Sequence, residues 1–166
     1  MAASNDAALI LKQEQALRFR SFDENISWRL GLKLRGLAHE RSLPVVIDIR
    51  LCGRQVFFAA MNGSAPDNCE WAQRKINTVL RFGKSSYRFG FDLAARGMVV
   101  GPQRGLDPIV YADAGGGFPA WVIGTGCVGA IAVSGLPQRD DHELVVEALC
   151  ASLGQSYDDL KLSAEP

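Results

Sequence analysis

Apolar residues recur in two rhythms along the chain. Between residues 6 and 19, Ala8, Leu9, Leu11, Ala16, Leu17 and Phe19 interleave with Lys12, Gln13, Glu14 and Gln15, and Asn5 or Asp6 is placed to cap them. That pattern predicts a first helix. Ile26, Leu30, Leu34 and Leu37 then repeat at helical spacing, predicting a second helix over about 23–41, stopped before Pro44. The rhythm changes in "PVVIDIRLCGRQVFFAAM", which is rich in β-branched and aromatic residues and is broken by Cys52, Gly53 and Arg54. It predicts a hairpin of two strands, 45–51 and 55–61.

Asp67, with Glu70 three positions later, has capping-box spacing, so a third helix is predicted from Asn68 to about Phe82. Ala72, Ile76, Val79 and Gly83 share one narrow arc of it, which should face a sheet. Residues 85–97 mix alternation with a helical run ending at Gly97, and we read them as helix. Pro102 and Pro108 make the following stretch a loop with a short strand. "FPAWVIG" and "GCVGAIAVSG" predict two more strands. Asp140 and Glu143 predict a capped last helix with Leu144, Val145, Ala148, Leu149 and Leu153 as its apolar stripe, ended by Gly154. The tail 155–166 is expected to be partly ordered at best.

Short turns join most of these strands, and no helical crossover is needed. The expected architecture is α+β, a mainly antiparallel sheet flanked by helices, with residues 1–166 as a single domain. "GTGCVG" (124–129) spells the dinucleotide fingerprint, but a β-branched run stopped by Gly135 and Pro137 follows it, and no helix starts at Gly129. Gly124, Thr125 and Gly126 are better read as a hairpin turn, and Gly129 as a bulge or close-packing point.

Lys plus Arg and Asp plus Glu number 18 each, giving zero formal charge. That balance provides no global attraction to nucleic acid or an acidic membrane, and neither is expected as a partner. The N-terminal stretch lacks a signal-peptide pattern, and no apolar run is long enough to span a membrane. Cys52, Cys69, Cys127 and Cys150 are scattered and read as reduced thiols of a cytoplasmic protein. With only His39 and His142 to join them, no metal site is expected. His142 reads as a solvated residue in a first turn, and His39 as a residue suited to a helix C-terminus.

Three segments bear a family resemblance. Gly116-Gly117-Phe118-Pro119, then Val128 to Gly135, then Asp140-Asp141 resemble the C-terminal signature of the haem-binding or haem-degrading domain family. "WAQRKINTVLRFGKSS" resembles that family's lysine-bearing helix, with Lys75 at the lysine position. "QEQALRFRSFDENISWRLGLKL" and "PDNCEWAQRKINTVLRFGKSS" resemble an uncharacterised bacterial and fungal branch of it. The resemblance implies a profilin-like fold, a homo-oligomer and a ligand that is haem or another small acidic molecule. It does not settle whether there is catalysis, and no iron ligand of the family aligns with His39 or His142. A non-catalytic oligomeric scaffold that binds other proteins is the alternative.

A helical wheel with Ala72 at 0° puts Trp71, Lys75, Thr78 and Phe82 together at about 240° to 300°, bordering the buried arc. The expected site is a cleft walled by Trp71 and Phe82, with Thr78 beside them and Lys75 at its rim to anchor a carboxylate. Gly115, Gly116, Gly117, Phe118 and Pro119 would complete that rim. No nucleophile–base pair is legible, because no histidine adjoins Ser85, Ser86 or Ser134.

Overall fold

The computed structural model describes residues 2–163. The elements run α1 (Ala2–Ala16), α2 (Glu24–Glu40), β1 (Val46–Leu51), β2 (Arg54–Ala60), α3 (Pro66–Phe82), α4 (Ser86–Ala94), β3 (Gly117–Val122), β4 (Gly126–Ser134) and α5 (Gln138–Leu153). The strands form a four-stranded sheet in the order β2-β1-β4-β3, antiparallel throughout. This is the predicted α+β, profilin-like layout.

Side-chain size sorts the two faces of the sheet. Ile47, Ile49, Phe118, Ile131 and Val133 point into the main core, where Leu30 and Leu34 of α2 meet Val145 and Leu149 of α5. On the other face Ala130 and Ala132 join Val46, and against them lie Ala72, Ile76 and Val79, the arc predicted to face the sheet. Alanines on that face let the single helix α3 pack close.

The glycine-rich hairpin turns where expected, with Gly124 and Gly126 at φ 79° and 113°. Val122 pairs with Gly126, and β4 continues as strand through residue 129. A Cβ on Gly129 would lie 2.2 Å from the Arg50 carbonyl oxygen, so the β1–β4 approach there depends on glycine. The bulge falls one residue earlier: Ala120 opposes Gly129 while Trp121 opposes Cys127, leaving Val128 extra.

Several boundaries depart from the sequence reading. The first helix starts before residue 6 and stops at Ala16, after which Phe19 runs extended and bridges Val122 in parallel. Asp67 and Asp140 are not caps. Pro66 opens α3 and Pro137 immediately precedes α5, and each acidic residue falls inside its first turn. A proline lacks the N–H that a first turn leaves unpaired, and so is well suited to that place. Asn68 Oδ1 accepts from Ala65 N at 2.7 Å, completing the α3 start. No strand forms between α4 and β3 among the described residues; a short 3₁₀ turn, Pro102–Arg104, is the only regular piece there. That segment hangs on α3 side chains instead: Arg74, Asn77 and Arg81 donate to the carbonyls of Pro108, Val110 and Gly105. Residues 155–163, expected to be partly ordered at best, pack back on the body and bury Leu160 and Leu162; residues 164–166 lie outside the described part.

Candidate functional site

The predicted stripe on α3 is present, but its lysine is not at a rim. Lys75 is 2% exposed, and its Nζ donates to Asp141 Oδ2 at 2.7 Å and to the Val133 carbonyl at 2.9 Å. Burial pushes the lysine pKa down and the aspartate pKa up, and each charge opposes the shift of the other. Gly116 and Gly117 cover the pair: a Cβ on Gly116 would lie 2.8 Å from Lys75 Nζ. Gly115 N donates to Gln138 Oε1 and Gly117 N to Ser86 Oγ, so these amides are spent inside the protein.

The other stripe residues are also engaged. Thr78 Oγ1 donates to the Ala112 carbonyl at 2.7 Å and accepts from its amide. Phe82 stacks on Phe89 at 4.4 Å. Trp71 Nε1 donates to Asp67, and the Arg74 guanidinium lies 3.7 Å above the tryptophan ring. Phe118 points through the sheet into the main core, and Pro119 is buried on β3. The structure thus brings Lys75 together with Gly116 and Gly117, and adds Asp141, which sequence reasoning missed. It does not gather Trp71, Phe82 and Phe118 around one opening.

His142 corrects a second expectation. It is 0% exposed, between Tyr87 and Phe118 at ring distances of 5.3 and 5.8 Å. Gln13 donates through Nε2 to the Leu160 carbonyl at 2.7 Å, which leaves its Oε1, 2.8 Å from His142 Nε2, as the acceptor. The ring proton therefore belongs on Nε2. Among the described residues Nδ1 has no partner, and burial with the Arg139 and Lys75 charges holds the pKa down at about 3.

An open groove lies elsewhere, where the end of α1, the 18–21 connector, the outer face of α2, the β3–β4 turn and the end of α5 converge. It encloses about 990 Å³. Arg18, Arg20, Arg29 and Lys33 line it over an apolar floor of Phe19, Ile26, Leu30 and Leu153, and among the described residues no carboxylate lines it.

Local structure explains the placement. Phe19 is extended and turned into the core, so Arg18 and Arg20 on either side face outward. Arg29 and Lys33 stand one turn apart on α2, while Leu30 and Leu34 face inward. Like charges at that spacing cost a helix about 0.2–0.5 kcal/mol. Among the described residues no ion pair engages Arg20, Arg29 or Lys33. Arg18 lies over Trp121, 5.2 Å from the ring centroid. In a chain of zero net charge, four cations with no carboxylate among the described lining residues focus a positive field on one concavity.

The donor set is suited to acid groups and not to a metal. Among the described residues no imidazole, thiol or thioether lines the groove, and no group of three or more His, Cys, Asp or Glu could hold an ion. Acid groups and the apolar body of a tetrapyrrole would therefore find partners here, and its iron would find none.

A four-stranded antiparallel sheet with helices on both faces is the profilin-like α+β architecture. The model for the family described as "Haem degrading protein HbpS-like" matches residues 22–150, and the chain belongs to that family. It is 51% identical over 164 residues to a UPF0303 protein of Sinorhizobium medicae, covering 99% of this chain and 100% of the relative. A UPF0303 protein of Acidobacterium capsulatum is 48% identical over 162 residues, 98% of each chain. Among solved structures, the Ybr137w protein superposes with a TM-score of 0.82 at 29% identity, over 90% of this chain and 89% of the other. PduOC, solved as a complex with haem, gives 0.67 at 19% identity over 80% and 94%, which is a likeness of fold alone.

Proposed function

We propose that this chain is an oligomeric small-ligand-binding protein of the haem-degrading-domain type, and that the groove holds a ligand with acid groups on an apolar body. The observation that carries this reading is the set of Arg18, Arg20, Arg29 and Lys33 around an apolar floor, with no carboxylate in the lining among the described residues. Haem is a candidate, supported by the family and by the haem complex of the PduOC neighbour. Arginine forks and a lysine are suited to propionates or other carboxylates, and the floor to a flat hydrocarbon body. In this reading Lys75, Thr78, Phe82 and the 115–117 glycines frame the protein, and Trp71, Phe118 and Pro119 belong to that frame.

Assembly with further copies is supported by Trp28 and Leu32, 54% and 48% exposed one turn apart on α2. A cytoplasmic setting is supported by four cysteines that are all free thiols. Among the described residues, no helix is long and apolar enough to cross a membrane.

A haemin titration followed in the Soret band tests the proposal. Wild type should show a saturable shift. Arg29→Ala/Lys33→Ala should weaken it severalfold, up to about thirtyfold, since each partly exposed ionic contact contributes up to about 1 kcal/mol. A featureless titration, or one the double variant leaves unchanged, contradicts the assignment.

A further inference from the structure

The groove does not stand on its own elements alone. One wall is the last turn of α1, through Gln15 and Ala16, with Arg18 just beyond. That helix is tied to the body by the Asp6–Arg139 ion pair and at two further anchors. The first is Glu14, which accepts from Ser85 N at 2.8 Å and from Arg88 at 2.7 Å and so fixes α1 to α4. The second is the returning C-terminal segment. Gln13 donates to the Leu160 carbonyl at 2.7 Å, and Lys12 donates to the Asp159 carbonyl at 3.1 Å.

Glu143 on α5 holds that segment in turn. Its Oε2 accepts from Tyr157 Oη at 2.8 Å and from Leu162 N at 3.1 Å, while Oε1 accepts from Gln13 at 3.3 Å. Helix α1, the tail and α5 therefore meet at one carboxylate. Gln13 is fully buried, and its amide bridges His142, Leu160 and Glu143. Withdrawing the tail would take the Leu160 carbonyl from Gln13 and the Tyr157 hydroxyl and Leu162 amide from Glu143, leaving buried polar groups short of partners. A shift of α1 that turns Gln13 toward water would restore its partners, and α1 carries the groove wall.

We infer that residues 155–163 are a latch that sets the position of the last turn of α1, and through it the affinity of the groove for its ligand. This rests on the groove being the ligand site, and it makes the tail a control point for occupancy. Gln155 lines the groove itself, so the latch starts at the site and ends at the hub on the far side of α1.

The test uses the full chain carrying Leu160→Ala, with Tyr157→Phe as a milder second variant, and haemin as the probe. Amide exchange of residues 13–18 should speed up while β1 and β4 stay protected, and haemin should bind about fivefold more weakly or worse, the scale of one lost buried hydrogen bond. If β1 and β4 also lose protection in Leu160→Ala, the Tyr157→Phe result decides. Unchanged exchange at 13–18 overturns the latch. Faster exchange with unchanged affinity overturns the coupling. The groove assignment fails separately, on wild-type binding by Arg29→Ala/Lys33→Ala, and the exchange result then judges the latch alone.

Discussion

His142 is a neutral imidazole sealed in a core, and its protonation is resisted by burial and by the Arg139 and Lys75 charges. Its pKa falls from 6.5 in an open chain to about 3 here. The unfolded chain therefore takes up a proton that the folded one refuses, and this contribution to stability drains away as pH falls from 6.5 toward 3. Burial raises Glu143 and Asp141 in the same region, and a raised carboxyl pulls the other way, so total stability is a poor readout. The difference between wild type and His142→Gln isolates the imidazole. Between pH 6.5 and about 5 wild type should lose about 1.6 kcal/mol relative to the variant, at 1.36 kcal/mol per unit of linkage. Denaturant curves at the two pH values measure it, and parallel pH profiles would contradict it. Nothing local announced this burial: "RDDHE" reads as a polar first turn, and Gln13, 129 positions away, is what receives the ring.

Lys75 and Asp141 belong to the scale of elements, because their bond ties α3 to the start of α5 and to the end of β4. Lys75→Met should destabilise the fold by about 3–5 kcal/mol, because it strands a buried carboxylate. Adding Asp141→Leu should recover much of that loss, since a buried pair is often replaceable by apolar residues. Chemical denaturation of the single and double variants checks this, and an additive loss in the double variant would contradict it. The wheel put Lys75 at the border of the buried arc, and the structure places it inside, 2% exposed. Its partner was out of reach of any wheel, 66 residues on in another helix. The strands were legible for a local reason: β-branched runs between glycines that turn or pack closely leave few alternatives. The helix starts were misread because Asp67 and Asp140 satisfy a capping pattern that Pro66 and Pro137 pre-empt.

At the scale of the molecule, zero net charge hides an uneven surface. "ALRFRSF" and "ISWRLGLKL" each carry two of the four groove cations, and both stretches stood out in the sequence as family hallmarks. Their alternation and helical spacing were readable, but that they share one concavity was not, since this depends on Phe19 bridging Val122 and on the end of α5 closing the floor. The α3 stripe drew attention because its pattern is the stronger local one, and that pattern serves packing. The most direct test of the groove compares iron-free protoporphyrin IX with its dimethyl ester by fluorescence titration. The free diacid should bind saturably, weaken as salt rises, and weaken again in Arg29→Ala/Lys33→Ala, while the ester should bind severalfold more weakly, up to about thirtyfold. Equal binding of diacid and ester, or binding indifferent to those two residues, would contradict the account.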